Sequence, residues 1–243
     1  MKTAKIARDL FVVGGGCFGS QYVKWLLRAS EKGMLHYRKI FAIDRDPHCQ
    51  LKNTTLPDSV ELIAADWVDY FTDYLATHFR DTEFADDFWV PSPLSPHILF
   101  FGMMRAAERL GVPCRFQAAG FNEPVLPPVR IPLANGDLAV SFAEWQCPVN
   151  CIEPGNCPAI HDRRTWDMKI ALDGYFENQA ARRGAHVLQC RHWVHGVGTI
   201  PMREIFQEFE RFLENCRRPE IEDLVVATTS RCHGLISRAE ILR

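Results

Sequence analysis

The sequence has no long uninterrupted apolar run; the longest, residues 98–104, is far too short to span a bilayer. It has little net charge. Twenty-eight Lys and Arg against 30 Asp and Glu leave a formal charge of -2, so no strong field draws the chain to nucleic acid or anionic lipid. The first eleven residues carry Lys2, Lys5, Arg8 and Asp9 and lack the apolar stretch and small-residue cleavage site of a secretory signal. The expectation is therefore a cytoplasmic protein with no membrane insertion and no nucleic-acid partner. Internal repeats and low-complexity tracts are absent too. What is present, 47% hydrophobic and 24% charged residues, is the composition of an ordinary packed globular chain. Nine cysteines, an odd number unequally spaced, do not form a disulfide framework in a reducing compartment. Any cluster among them points to metal binding or redox chemistry.

Apolar runs at residues 10–13, 39–43, 60–64, 88–90 and 112–118 read as buried strands. Helical patterns lie between them. Tyr22, Val23, Leu26 and Leu27 share one face, and Ser95 and Pro96 supply a cap and first-turn proline for a helix over 97–110, stopped by Gly111. After Gly120 four prolines break the rhythm, and Asn135-Gly136 signals a hairpin. A helix over 165–183, a strand over 186–190, a helix with Ile205, Phe206, Phe209, Phe212, Leu213 and Cys216 on one face, and a strand over 224–229 follow. The expected fold is α/β: one doubly wound, mostly parallel Rossmann-like sheet with a hairpin and Cys-rich insertion. The regions are 1–120 for the dinucleotide-binding part, 121–165 for the insertion, and 166–243 completing the same sheet. Two separate domains are the alternative.

Gly14, Gly15, Gly16, Cys17, Phe18 and Gly19 form G-x-G-x-x-G directly after a strand and before a helix. Gly14 permits the tight turn, Gly16 lets a pyrophosphate approach the backbone, and Gly19 allows close helix packing. Asp44 ends the second strand, where a carboxylate receives the ribose hydroxyls of NAD. Arg45 beside it leaves NADP as the alternative. Over residues 8–75 the sequence resembles the nucleotide-binding (KTN or RCK N-terminal) domains of Trk-type potassium-uptake regulators. The likeness rests on Val12-Val13-Gly14-Gly15-Gly16-Cys17-Phe18-Gly19, Ile43-Asp44-Arg45-Asp46-Pro47 and Ala64-Ala65-Asp66. It implies a nucleotide ligand, with Asp66 on the adenine side. No second regulatory domain of that family is recognisable, so it does not imply potassium regulation. Methyltransferases also place an acid after the second strand, but they usually carry another just before the glycine loop, where Phe11, Val12 and Val13 stand here; Asp66-Trp67, able to flank an adenine, keeps that reading open.

Cys147-Pro148, Cys151, Pro154 and Cys157-Pro158 put three thiols within eleven positions held by three prolines. Such a stiff segment suits an iron–sulfur cluster or zinc, with Cys190 first and Cys232 second as candidates for the fourth ligand. Iron–sulfur is preferred because the prolines beside cysteine resemble ferredoxin segments. A redox dithiol and simple buried cysteines are the other readings. His192 and His195, after the strand over 186–190, are candidate acid–base residues. His97 reads as part of a stiff loop, and His161, Asp162, Arg163 and Arg164 as a solvated charge run, with binding of an acidic substrate beside the cysteine segment as the alternative. Together these features predict an NAD(P)-dependent oxidoreductase with a cysteine-held centre, acting on a small molecule or a redox partner protein. An NAD(H) sensor with structural zinc and an S-adenosylmethionine-dependent methyltransferase are the alternatives. Oligomeric state is not encoded in any feature of the sequence.

Overall fold

The structure is a computed structural model that describes residues 3–93, 95, 97–112, 115–125, 127–147 and 151–243. Pro96, Pro148 and residues 113–114 of the expected strand over 112–118 lie outside the described residues. The first half runs β1 (Lys5–Ile6), β2 (Asp9–Val13), α1 (Cys17–Glu31), β3 (Leu35–His36), β4 (Lys39–Asp44), β5 (Val60–Ala64), α2 (Trp67–His78), β6 (Phe88–Val90) and α3 (Ile98–Arg109). Strands β6, β2, β4 and β5 lie side by side and parallel, in that order. Each is short, apolar and rich in β-branched or aromatic residues, as strands covered on both faces must be. Asp66 caps α2 by accepting from the backbone N–H of Val68 and Asp69. The position before α3 is His97, not Ser95, and its side chain makes no cap; Gly111, at φ 73°, follows the helix end as expected.

The second half runs β7 (Arg115–Ala119), β8 (Val129–Pro132), β9 (Leu138–Ser141), β10 (Asn156–Cys157), β11 (Asp162–Arg163), α4 (Met168–Glu177), β12 (Arg183–Gln189), β13 (Arg191–His192), β14 (Gly198–Pro201), α5 (Met202–Arg217), β15 (Asp223–Thr229) and β16 (His233–Leu242). β8 and β9 form the hairpin signalled by Asn135-Gly136, with Gly136 at φ 90°.

This arrangement corrects the expected fold class. Among the described residues the chain does not build one mostly parallel doubly wound sheet but two six-stranded mixed sheets, with two small two-stranded pairs beside them. The second half supplies a sheet of its own. There β12 and β15 are parallel, while β16 runs antiparallel to β15, β9 and β7. Among the described residues of the second half only the β13–β14 hairpin returns to the first sheet, antiparallel against β6. The physical reason is the length of β16: seven of its residues pair along β15 on one side and it pairs with both β7 and β9 on the other, so β7, β8, β9, β12, β15 and β16 close into a sheet of their own.

The pleat explains how the layers stack. On β2, Phe11 and Val13 face a core shared with α2, α3 and α5, whereas Leu10 and Val12 face α1. On β15, Leu224 and Val226 face that same shared core, and Val225 and Ala227 face α4. Helices α2, α3 and α5 therefore lie between the two sheets, and α1 and α4 cover the outer faces. The apolar face read on α5 is buried at all six positions. Among the described residues no helix is long and apolar enough to cross a membrane.

Candidate functional site

The glycine loop leaves β2 at the carboxyl ends of the parallel strands and turns into α1. Gly14, at φ 90°, occupies a backbone region that L side chains rarely adopt, and its N–H is held by the Ile43 carbonyl at 2.8 Å. A Cβ on Gly19 would stand 1.7 Å from the Gly14 carbonyl oxygen, so helix and loop meet only because it is absent. Gly15 is closed in as well: a Cβ there would meet Cys49 Sγ at 2.3 Å, and its carbonyl accepts from Leu51 N and Ser20 Oγ. Gly16 differs, because a Cβ on it would meet nothing within 4 Å. Space thus opens over the one glycine at which a phosphate was expected to approach, at the N-terminus of a 15-residue helix whose first-turn N–H groups point outward.

Asp44 is buried, and both of its oxygens already hold the loop. Oδ2 accepts from Gly15 N at 2.7 Å and Oδ1 from Asp46 N at 2.9 Å. Each carboxylate oxygen has a second lone pair, so this staple and a ribose contact are compatible. Trp67, which sequence reasoning did not single out as a loop contact, lies over Gly14: its Cζ2 would be 3.7 Å from a Cβ there. That carbon adjoins the nitrogen-bearing edge of the indole, and Nε1 is shielded from solvent with no acceptor among the described residues. Asp66 is exposed and spends one oxygen on the α2 cap.

A second centre gathers around Glu153, on the Cys-rich segment. Its Oε1 accepts from Ser230 Oγ at 2.7 Å and Cys232 N at 3.1 Å, and its Oε2 from Arg231 N at 3.0 Å. His192 Nε2 stands 3.8 Å from Oε2. The other nitrogen of that ring, Nδ1, faces the Gly196 carbonyl at 3.1 Å and must donate to it, which leaves Nε2 with its lone pair. Burial pushes the His192 pKa down, with Glu153 opposing and Arg164 assisting. His233, bonded through Nδ1 to Ser141 Oγ at 2.9 Å, is lowered by the same three influences. His195, in contrast, is exposed at φ 49° and stands apart from these contacts, on a turn that packs against α1.

The thiols divide. Cys147 has a raised pKa, first through burial and then through Cys151, with Cys157 adding to it, so these three lie near one another. Glu153 N donates to Cys151 Sγ at 3.4 Å. Cys232 Sγ accepts from Trp166 Nε1 at 3.3 Å, and Trp166 meets edge-on the Trp145 ring that lies against Cys147. Cys190 sits differently, with Sγ packed where a Cβ on Gly198 would come within 2.5 Å, and near Tyr22 of α1. Burial pushes its thiol up to about 12. Cys232 is hydrogen-bonded through its N–H to Glu153 of the Cys-rich segment, whereas among the described residues Cys190 is linked to that segment through the Glu153 charge alone. Among the described residues no group of three or more His, Cys, Asp or Glu side chains already stands in a metal-holding arrangement.

Sequence reasoning missed Glu153 and misjudged Arg164. Arg164 follows β11, whose Asp162 and Arg163 are both exposed, and is turned inward by its own bonds: its N–H donates to the Gly155 carbonyl at 2.8 Å and its Nη1 to the Glu153 and Pro154 carbonyls. Two charged clefts, one around Lys169, Arg183 and Arg211 and one around Arg182, Glu222 and Arg238, lie away from both centres.

Residues 102–242 match the family model AF_1314_C, described as the C-terminal domain of an uncharacterized protein. The match begins inside α3 and covers the Glu153 centre but not the glycine loop. No curated protein and no solved structure matches the chain.

Proposed function

We propose that this chain, which belongs to the AF_1314_C family by the match over residues 102–242, is an NAD-binding oxidoreductase. The observation that carries the reading is the open space over Gly16, beside an indole whose N–H has no acceptor, at the carboxyl ends of four parallel strands. Phosphates suit that space because unpaired N–H groups and the positive end of the α1 dipole meet there. Asp44 orients the adenosine ribose while holding Gly15, and Asp66 lies at the adenine side.

The dinucleotide, when bound, supplies two-electron hydride chemistry. The chain's own contribution is acid–base work and a thiol-rich second centre. His192 is kept neutral by burial and presents Nε2 as a proton acceptor, its tautomer set by the Gly196 carbonyl. Cys147, Cys151 and Cys157, completed by Cys232, are the ligands we assign to a metal or iron–sulfur centre, because softness and proximity both suit thiolate ligation.

Calorimetry with NAD and NADH tests the nucleotide reading. Wild type should bind, and Gly16→Val should bind about tenfold or more weakly, a loss of about 1.4 kcal/mol or more, because its side chain enters the space without a clash in the fold. Folded wild type that binds neither form, or that prefers S-adenosylmethionine, overturns it. Binding without turnover in the presence of electron acceptors favours the sensor.

A further inference from the structure

Arg164 is 8% exposed, yet its guanidinium is half used. Nη1 donates to the Glu153 carbonyl at 2.7 Å and to the Pro154 carbonyl at 2.6 Å. Nε and Nη2 are shielded from solvent and have no hydrogen-bond partner among the described residues. Leaving two donors of a buried cation unpaired is costly, and natural folds tolerate it chiefly where something else completes the set. Those two nitrogens are one side edge of the guanidinium, with N–H bonds parallel and spaced to meet both oxygens of one oxyanion.

The surroundings show which way that edge works. The Arg164 charge acts on His192, His233 and Cys232, so the guanidinium lies among side chains from β13, β16 and the turn before it. The Cys232 sulfur stands close enough for the Arg164 side chain to pull its pKa down, although neither Nε nor Nη2 meets a partner in hydrogen-bond geometry among the described residues. Glu153 acts on the same three residues, and it is fully engaged by Ser230, Arg231 and Cys232 rather than by Arg164. A doubly charged phosphate would meet that carboxylate as a repulsive neighbour. A singly charged, planar carboxylate matches the free edge and is repelled less.

We propose that the Nε–Nη2 edge of Arg164 recognises the carboxylate of a small organic acid, held between the Cys-rich segment and the turn at 230–233. The site stands on Arg164 and its neighbours alone and makes no use of the glycine loop.

Side-chain NMR of the full chain tests it at pH 7 and constant ionic strength, with no nucleotide present, so that its result is separate from that of nucleotide binding. The Arg164 Nε–Hε resonance is assigned through bonds in wild type and followed while acetate, and separately inorganic phosphate, is added. The expected result is a saturable shift with acetate, at about tenfold or more higher affinity than phosphate. Arg164→Lys keeps the charge, loses the paired edge and should lower acetate affinity about tenfold. No saturable shift with acetate overturns the proposal, as does phosphate binding equally well or better. Full acetate affinity in Arg164→Lys overturns it too. Should that variant fail to fold, the wild-type titration decides alone.

Discussion

Glu153 Oε1 and Ser230 Oγ meet at 2.7 Å across 77 positions of chain. The same carboxylate takes the N–H groups of Arg231 and Cys232, so one side chain ties the Cys-rich segment to the turn between β15 and β16 of the second sheet. Glu153 does this at φ 49°, a left-handed conformation that costs a non-glycine residue about 1 kcal/mol. Its contacts must outweigh that strain. Glu153→Ala should therefore lower stability in urea by about 2–4 kcal/mol, since it strands several buried donors. Glu153→Gly, which relieves the backbone, should recover about 1 kcal/mol of that loss. Wild-type stability in the alanine variant would remove Glu153 as the anchor.

The four loop glycines should separate into two kinds. Gly19→Ala drives a methyl group into the Gly14 carbonyl and should cost about 3 kcal/mol or prevent folding. Gly16→Ala meets nothing and should stay within about 0.5 kcal/mol of wild type. Urea denaturation of both variants, side by side, checks this; equal losses would mean that the space over Gly16 is not free.

Acid should destabilise the fold early. The pKa values of His186, His192 and His233 are all lowered, burial being the first cause in each. Below about 6.5 the unfolded chain takes up protons that the folded one refuses. The stability from keeping these rings neutral is thus complete above that value, shrinks as pH falls, and is gone below the lowered folded-state values. Urea midpoints should drop between pH 7.5 and 5.5, and the His192→Gln, His233→Gln double variant should drop less. An unchanged slope in that variant would assign the acid sensitivity elsewhere.

Metal content should depend on one set of thiols. After anaerobic reconstitution with zinc, or with iron and sulfide, Cys147→Ser, Cys151→Ser, Cys157→Ser and Cys232→Ser should each lose most of the bound metal. Cys190→Ser should keep it, because that thiol packs against Gly198 with a pKa near 12. Elemental analysis that finds the loss in Cys190→Ser instead would restore Cys190 as the fourth ligand.

Local signals in the chain were sufficient for local structure. Phe11, Val12 and Val13 before three glycines specify a strand entering a tight turn, and Asn135-Gly136 specifies a hairpin, because backbone sterics act between near neighbours. Ser95 misled for the same reason in reverse: it has the chemistry of a cap, but the chain enters α3 two residues later, at His97. Arg164 looked solvated because it stands in a run of charges, and only its bonds to the Glu153, Pro154 and Gly155 carbonyls draw it inward while Arg163 stays exposed.

The sequence by itself determined the parallel strands of the first half, the buried faces of α1 and α5, the positions at which only glycine serves, and the thiols dense enough to suggest a centre, but not β16. The tertiary structure decided that the later strands form a second sheet, that the β13–β14 hairpin returns to the first, and that Glu153, Arg164, His192, Cys232 and His233 converge. Those outcomes depend on pairings over long chain separations, such as Arg238 with Ala119 or Ile200 with Trp89. No local pattern encodes such a pairing, because it is selected by which apolar faces can be buried together once the whole chain has collapsed.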